Sequence, residues 1–200
     1  MKRLGVMGGT FDPIHTGHLV AANEARHAFG LDRVMFVPTG RPWQKDFYSD
    51  AEDRFLMTVL GTAADAHLVA SRMEIDRIGP TYTLHTMQAL RDFHGPRVEL
   101  FFILGADAAL KLATWHHIDG LGDLADMIAV ARPGFPLDDL TSQPGWPRIH
   151  KIEMPGIDIS ASDIRARVAA GRPIEYLVPH DVVDYIRGHG LYVRGESRGA

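Results

Sequence analysis

The chain has 200 residues, 46% of them hydrophobic, which suits one compact domain with room for a small C-terminal appendage. A formal charge of −4 argues against a general nucleic-acid or membrane-surface binder, which is usually basic. Cysteine is absent, which excludes disulfides and thiolate zinc sites and fits a reducing compartment.

No apolar run approaches the ~20 residues of a membrane span. The basic, then apolar N-terminus is interrupted by Gly8, Gly9 and Asp12, far short of a signal-peptide core. The expectation is a soluble cytoplasmic protein that engages neither nucleic acid nor membrane. Nothing in the sequence fixes an oligomeric state, and a homo-oligomer is compatible with it.

Strand-like and helix-like segments alternate as far as about residue 131. Residues 4–7 read as a buried first strand. Gly8-Gly9-Thr10-Phe11-Asp12-Pro13-Ile14-His15-Thr16-Gly17-His18 follows, then a helical pattern reaching Phe29. Arg33-Val34-Met35-Phe36-Val37-Pro38 reads as a second strand and residues 39–48 as a loop. Over 51–64, Phe55, Leu56, Val59 and Leu60 recur at helical spacing, with Ser49 or Asp50 as cap. Residues 67–72 suit a third strand, and 81–93 a helix capped by Thr83.

Val98-Glu99-Leu100-Phe101-Phe102-Ile103-Leu104 is the clearest central strand, because a continuous apolar run suits a parallel sheet covered on both faces. It ends at Gly105-Ala106-Asp107, followed by short helices to about 113 and over 116–125. Residues 127–131 read as another strand, 132–147 as a Pro- and Gly-rich loop, and 148–154 as a last strand. Ser160-Ala161-Ser162-Asp163 loosely matches a capping box and opens a helix to about 170. A final helix spans about 181–187, and the tail from 195 is expected to fray.

The repeated β–α units predict an α/β fold, a Rossmann-like doubly wound, mainly parallel sheet with a small C-terminal helical extension. The expected organisation is a single domain over 1–200, with a core at 1–157, a helical part at 158–194 and a tail at 195–200. Ligands of such sheets bind beyond the carboxyl ends of strands. Residues 8–18, 39–45 and 105–107 all fall there.

The first of these stretches carries the strongest chemistry. Adjacent glycines at a strand end permit unusual backbone angles and close approach of amides to a ligand. A helix opening near residues 16–18 would turn free N–H groups and its positive dipole end to the same place, which suits phosphate. His15 and His18 would stand at the mouth as donors. The stretch is neither a P-loop nor a dinucleotide G-x-G-x-x-G. A His-x-x-His pair alone suits zinc, but no third ligand is placed nearby, so no protein-held metal is expected. Later, Ile159-Ser160-Ala161-Ser162-Asp163-Ile164-Arg165 reads blandly as a capped helix with a surface arginine. Two hydroxyls and an arginine at a helix start also suit a triphosphate.

The eleven-residue stretch closely resembles the T/H-x-G-H signature of nucleotidylyltransferases, and Ile159 to Arg165 resembles their I-S-x-S/T-x-I-R segment. Further matches are Pro80-Thr81-Tyr82-Thr83 with Thr86, Gly105-Ala106-Asp107-Ala108, Thr114-Trp115 and Ala131-Arg132-Pro133-Gly134. Together they are similar to the bacterial nicotinate mononucleotide adenylyltransferases, over about residues 3–192. The resemblance implies transfer of an adenylyl group from ATP to nicotinate mononucleotide, with Mg²⁺ carried mainly by the ATP phosphates.

It further implies His15, His18 and Arg165 as catalytic residues. Gly8, Gly9, Thr10, Phe11, His15, His18, Asp107, Ser160, Ser162 and Arg165 would bind ATP. Gly9, Thr10, Lys45, Thr86, Trp115 and His116 would bind the acceptor, with Trp115 stacking on the pyridine ring and Thr86 near the carboxylate. Two departures stand out. His85 replaces the family's common Asp, losing a first-turn dipole interaction of about 0.3–1 kcal/mol, and the loop Arg41-Pro42-Trp43-Gln44-Lys45 differs from the common Asn-x-Pro-Pro-His-Lys form. Another phosphorylated acceptor, such as nicotinamide mononucleotide or phosphopantetheine, and a non-catalytic nucleotide sensor remain as alternatives.

Overall fold

The computed structural model describes residues 1–40, 49–79, 81–115, 117–132, 140 and 143–193. Its first half runs β1 (Arg3–Gly9), α1 (Thr16–Phe29), β2 (Arg33–Pro38), α2 (Ala51–Thr62), β3 (Leu68–Ala70) and α3 (Thr83–His94). The second half runs β4 (Glu99–Gly105), α4 (Ala106–Ala109), β5 (Asp126–Ala131), β6 (Ile149–Glu153), α5 (Ala161–Ala169) and α6 (His180–Gly188). The expected tail and the loop residues Arg41, Pro42, Trp43, Gln44 and Lys45 lie outside the described residues, as do Pro80, His116 and most of 132–147.

The strands form one sheet in the order β3-β2-β1-β4-β5-β6, and every neighbouring pair is parallel. This is the doubly wound arrangement the alternating units predict. Its order reverses between β1 and β4, and the crevice at such a reversal is where ligands bind. The β-period of two divides the apolar residues between two cores. Phe101, Ile103, Ile128 and Val130 join one core, while Leu100, Phe102, Leu104, Met127 and Ala129 join the other. Burial on both faces is why the central strands read as unbroken apolar runs.

Several local expectations need correction. The buried face of α2 is Arg54, Met57, Thr58, Gly61 and Thr62, whereas Leu56 and Val59 point outward. The helix lies so close to Ile14 that a Cβ on Gly61 would stand 2.7 Å from Ile14 Cγ2. Small and polar residues therefore take the inner face. Thr83 is the first helical residue of α3 and Tyr82 holds the cap position. Asp50 occupies the cap of α2 without a side-chain hydrogen bond.

The helix expected over 116–125 is reduced to a 3-10 turn at Ile118–Leu121. His117 has a left-handed φ of 55°, and Gly120 and Gly122 weaken helix formation. Ser160, by contrast, caps α5 as its pattern predicts, its Oγ accepting the Asp163 N–H at 3.1 Å. The C-terminal helices and the segment between them pack into the core of α1 and β1, through Ile164, Ile174, Val182, Val183 and Ile186.

Candidate active site

At the reversal point, two cavities open on opposite faces of the sheet and share Gly8, Leu104 and Gly105. The first, about 250 Å³, is lined by His15, Gly17, His18, Asp107 and Arg132, with an apolar floor that includes Met154, Ile157 and Ile159. The second, about 220 Å³, is lined by Gly9, Thr39, Glu74, Thr86, Phe102 and Trp115 among others.

The glycines do not act as expected. Gly8 and Gly9 belong to β1, paired with Val37 and Pro38, and neither has a positive φ. The left-handed residue is Phe11, at φ 48°. Space is what excludes a side chain, since a Cβ on Gly8 would stand 3.0 Å from Phe102 Cζ. Phe11 is buried and packs its ring edge-on to His18 at 5.0 Å. Neither Thr10 nor Phe11 lines either of these two cavities.

The helix end also differs from expectation. The Thr16 N–H donates to the Leu177 carbonyl at 2.9 Å, so this amide is engaged by the C-terminal segment. The Thr16 hydroxyl donates to the Tyr176 carbonyl. What α1 presents to the cavity is its histidines. His15 occupies the cap position, and its ring stacks on that of His18 with centroids 3.6 Å apart.

The His15 N–H donates to His18 Nδ1 at 3.2 Å. A neutral His18 ring that accepts at Nδ1 carries its proton on Nε2, which is thereby a donor. His15 Nδ1 is buried and meets no hydrogen-bond partner among the described residues. Burial, and then Arg132, lowers the His15 pKa to about 4. Burial, and then His15, holds His18 well below the ordinary imidazole range. Both rings are neutral near pH 7. An anion in the cavity would raise both pKa values, and the neutral rings can meet phosphate as N–H donors.

Of the other expected residues, Asp107 lies in the first cavity, in the first turn of α4. Thr86 and Trp115 line the second, Trp115 standing edge-on to Phe102 at 5.7 Å. His85 is exposed on the first turn of α3 and meets Tyr82 edge-on, while Thr86 beside it is buried. Ser160, Ser162 and Arg165 line neither cavity. Arg165 instead reaches the loop after β1, donating to the Asp12 carbonyl at 2.7 Å and to Ser162 Oγ at 3.2 Å. Lys45 and His116 lie outside the described residues.

Sequence reasoning missed three residues. Arg54 is 2% exposed and donates to the carbonyls of Thr10, Thr39, Gly40 and Ser49. Burial lowers its pKa, and Asp12 is foremost among the groups opposing that shift. It ties the loop after β1 to the exit of β2. Tyr192 donates to Asp12 Oδ1 at 2.6 Å. Glu74, also buried, lies beside Thr86. The one available signal was Arg54 itself, a charge one residue before the supposed apolar face of α2.

Residues 6–167 match the cytidylyltransferase-like family. A protein of Saccharopolyspora erythraea named "Probable nicotinate-nucleotide adenylyltransferase" is 51% identical, covering 100% of this chain and 93% of that one. One of the same name from Salinispora arenicola is 52% identical over 93% of this chain and 99% of its own. The chain belongs to the nicotinate-nucleotide adenylyltransferase family. As a member it is a nucleotidyltransferase. Among solved structures, the Plasmodium falciparum nicotinic acid mononucleotide adenylyltransferase complexed with NaAD superposes with a TM-score of 0.79. It is 20% identical over 96% of this chain and 98% of its own, a likeness of fold.

Proposed function

We propose that this nucleotidyltransferase transfers the adenylyl group of ATP to nicotinate mononucleotide, giving nicotinate adenine dinucleotide and pyrophosphate in NAD biosynthesis. The observation that carries this reading is the meeting of two cavities at Gly8 and Gly105, one lined by histidines and the other by tryptophan. Two substrates held on opposite faces of the sheet would bring their phosphates together at the shared residues.

An acceptor phosphate oxygen attacks the α-phosphorus, and the bond from that phosphorus to pyrophosphate breaks. The attacking oxygen is already anionic near pH 7, so no general base is needed. The barrier is bringing anions together and stabilising charge, which positioning and fixed donors supply. His18 Nε2 and His15 are the proposed donors to the ATP phosphates, with His18 nearer the transferred group. Arg165, anchored on the Asp12 carbonyl, would hold the departing phosphates with Ser160 and Ser162. The Gly9 and Phe11 amides and Thr10 would bind phosphate at the end of β1. On the acceptor side Trp115 would stack on the pyridine, with Thr86 near its carboxylate, and Lys45 and His116 keep the roles the resemblance implies.

Nucleotidyltransferases use a divalent metal with ATP, and we assign Mg²⁺. Among the described residues no group of three or more His, Asp or Glu forms a metal cage. The oxygen chemistry of Asp107 in the first cavity fits an ion held mostly by phosphates and water. Asp107 would contact that water or the nucleotide ribose. When bound, the ion would neutralise phosphate charge. A cytoplasmic location and a single domain over 1–200 belong to the same proposal.

The test is pyrophosphate release with ATP and Mg²⁺, comparing nicotinate mononucleotide, nicotinamide mononucleotide and phosphopantetheine. Strong preference for the first is expected. Comparable use of both pyridine nucleotides would keep the chemistry and remove the carboxylate assignment. His18→Ala should lower turnover by about 10²–10³-fold, as loss of a preorganised donor does, while the circular-dichroism spectrum stays unchanged. Near-normal turnover in that variant would remove His18 from the mechanism.

A further inference from the structure

The second cavity carries a titratable side chain that the reaction as described leaves unused. Glu74 lies between β3 and α3, 7% exposed, on a wall shared with Phe102, Leu104 and Trp115. Its backbone is pressed against the exit of β2, where a Cβ on Gly40 would stand 2.1 Å from the Glu74 carbonyl oxygen. Thr86 Oγ1 and Glu74 Oε1 are 2.6 Å apart. Arg77 Nη1 donates to the same threonine oxygen at 3.4 Å.

A hydroxyl has one proton to give and two lone pairs to offer. While Glu74 is ionised, the Thr86 proton is committed to it, and an incoming ligand meets only a lone pair. With a proton on Glu74 the short bond reverses. The carboxylic acid then donates to Thr86, and the threonine proton turns towards the cavity.

We propose that the Glu74–Thr86 pair selects an acid over an amide acceptor, with Glu74 as a neutral carboxylic acid that frees the Thr86 proton for the nicotinate carboxylate. This rests on the reading that the pyridine ring occupies the second cavity. An ionised Glu74 would set a negative charge against the substrate carboxylate across a largely apolar wall, where repulsion is strong. A carboxamide N–H would find an acceptor there instead. Burial raises the Glu74 pKa, and Thr86, Arg77 and Thr81 oppose that shift. Arg77 is the charged group facing the pair. Thr39 after β2, Thr81 and Thr83 at the start of α3 and Trp115 after α4 also line the cavity and carry no charge, and no other described residue lining it is titratable. Glu74 acts through Thr86 and is a positioning residue.

The decisive measurement is kcat/KM for nicotinate and nicotinamide mononucleotides from pH 6 to 9, in the unaltered protein and in Glu74→Gln. Ionisation of the acceptor phosphate is common to both substrates and cancels in their ratio. In the unaltered protein the acid-to-amide ratio should fall about tenfold per pH unit beyond the ionisation of Glu74. Glu74→Gln donates an amide N–H to Thr86 at every pH, so its ratio should stay high and flat. A low acid-to-amide ratio at pH 6 in the unaltered protein, or a ratio equally pH-dependent in both, overturns the proposal. Infrared spectra of the unaltered protein's nicotinate complex, taken in H2O minus D2O, should show a protonated carboxyl band that the variant lacks. A spectrum without that band overturns it even where the variant fails to fold. Turnover of neither acceptor removes the functional reading together with this one, whereas normal turnover with a failed pH signature removes only the role of Glu74.

Discussion

Two imidazoles stacked at 3.6 Å cannot both carry charge without a counter-anion between them and solvent. The chain holds them neutral by burial, which has a consequence for stability. An unfolded His15 takes up a proton as pH falls through about 6.5, while the folded one resists until about 4. Its stabilising contribution is therefore complete above pH 6.5 and lost between 6.5 and 4, amounting to about 3 kcal/mol in all. Urea unfolding at pH 7 and pH 5 should show part of this loss, and His15→Gln should shrink the difference. An unchanged difference in that variant would mean that other groups carry the acid sensitivity. Glu74 repeats the logic with the opposite charge, as a buried acid inclined to keep its proton.

Elements joined by local pattern were legible in the sequence, and those defined by distant contacts were not. The run at 98–104 announced β4 because both of its faces are covered, and the Gly8–His18 stretch announced the strand end and helix start. In α2 the apolar spacing of Leu56 and Val59 pointed to the wrong face. The close approach at Gly61 and the demand for a guanidinium at Arg54 come from residues 14, 10 and 39, which no local window contains. Arg54 joins four carbonyls, so its removal leaves buried acceptors unpaired. Arg54→Met should cost on the order of 3–5 kcal/mol in denaturant titrations. Arg54→Lys should fold better but raise the KM of both substrates, because an ammonium cannot span the same fork. A loss below about 1 kcal/mol for the methionine variant would show that the clasp contributes little.

Across the whole molecule, the sheet order puts β1 and β4 side by side and so assembles one site from segments nearly a hundred residues apart. The C-terminal helical part completes it from below, through Arg165 and Tyr192 on Asp12 and Leu177 on Thr16. Asp12 is buried, and besides Tyr192 its carboxylate accepts the Ser49 N–H. Tyr192→Phe should therefore cost about 1–3 kcal/mol, the loss of a buried hydrogen bond to a charged acceptor. It should slow turnover too, since the loop after β1 loses a support. Thermal unfolding and steady-state kinetics of one preparation would check both, and unchanged values would leave Tyr192 a bystander.

The bond between Asp12 and Tyr192 spans 180 residues. Translation at about 5–20 residues per second separates the synthesis of its two partners by roughly 10–35 s. The first strand and its loop emerge early, yet the loop cannot gain its last hydrogen bonds until residue 192 has left the ribosome.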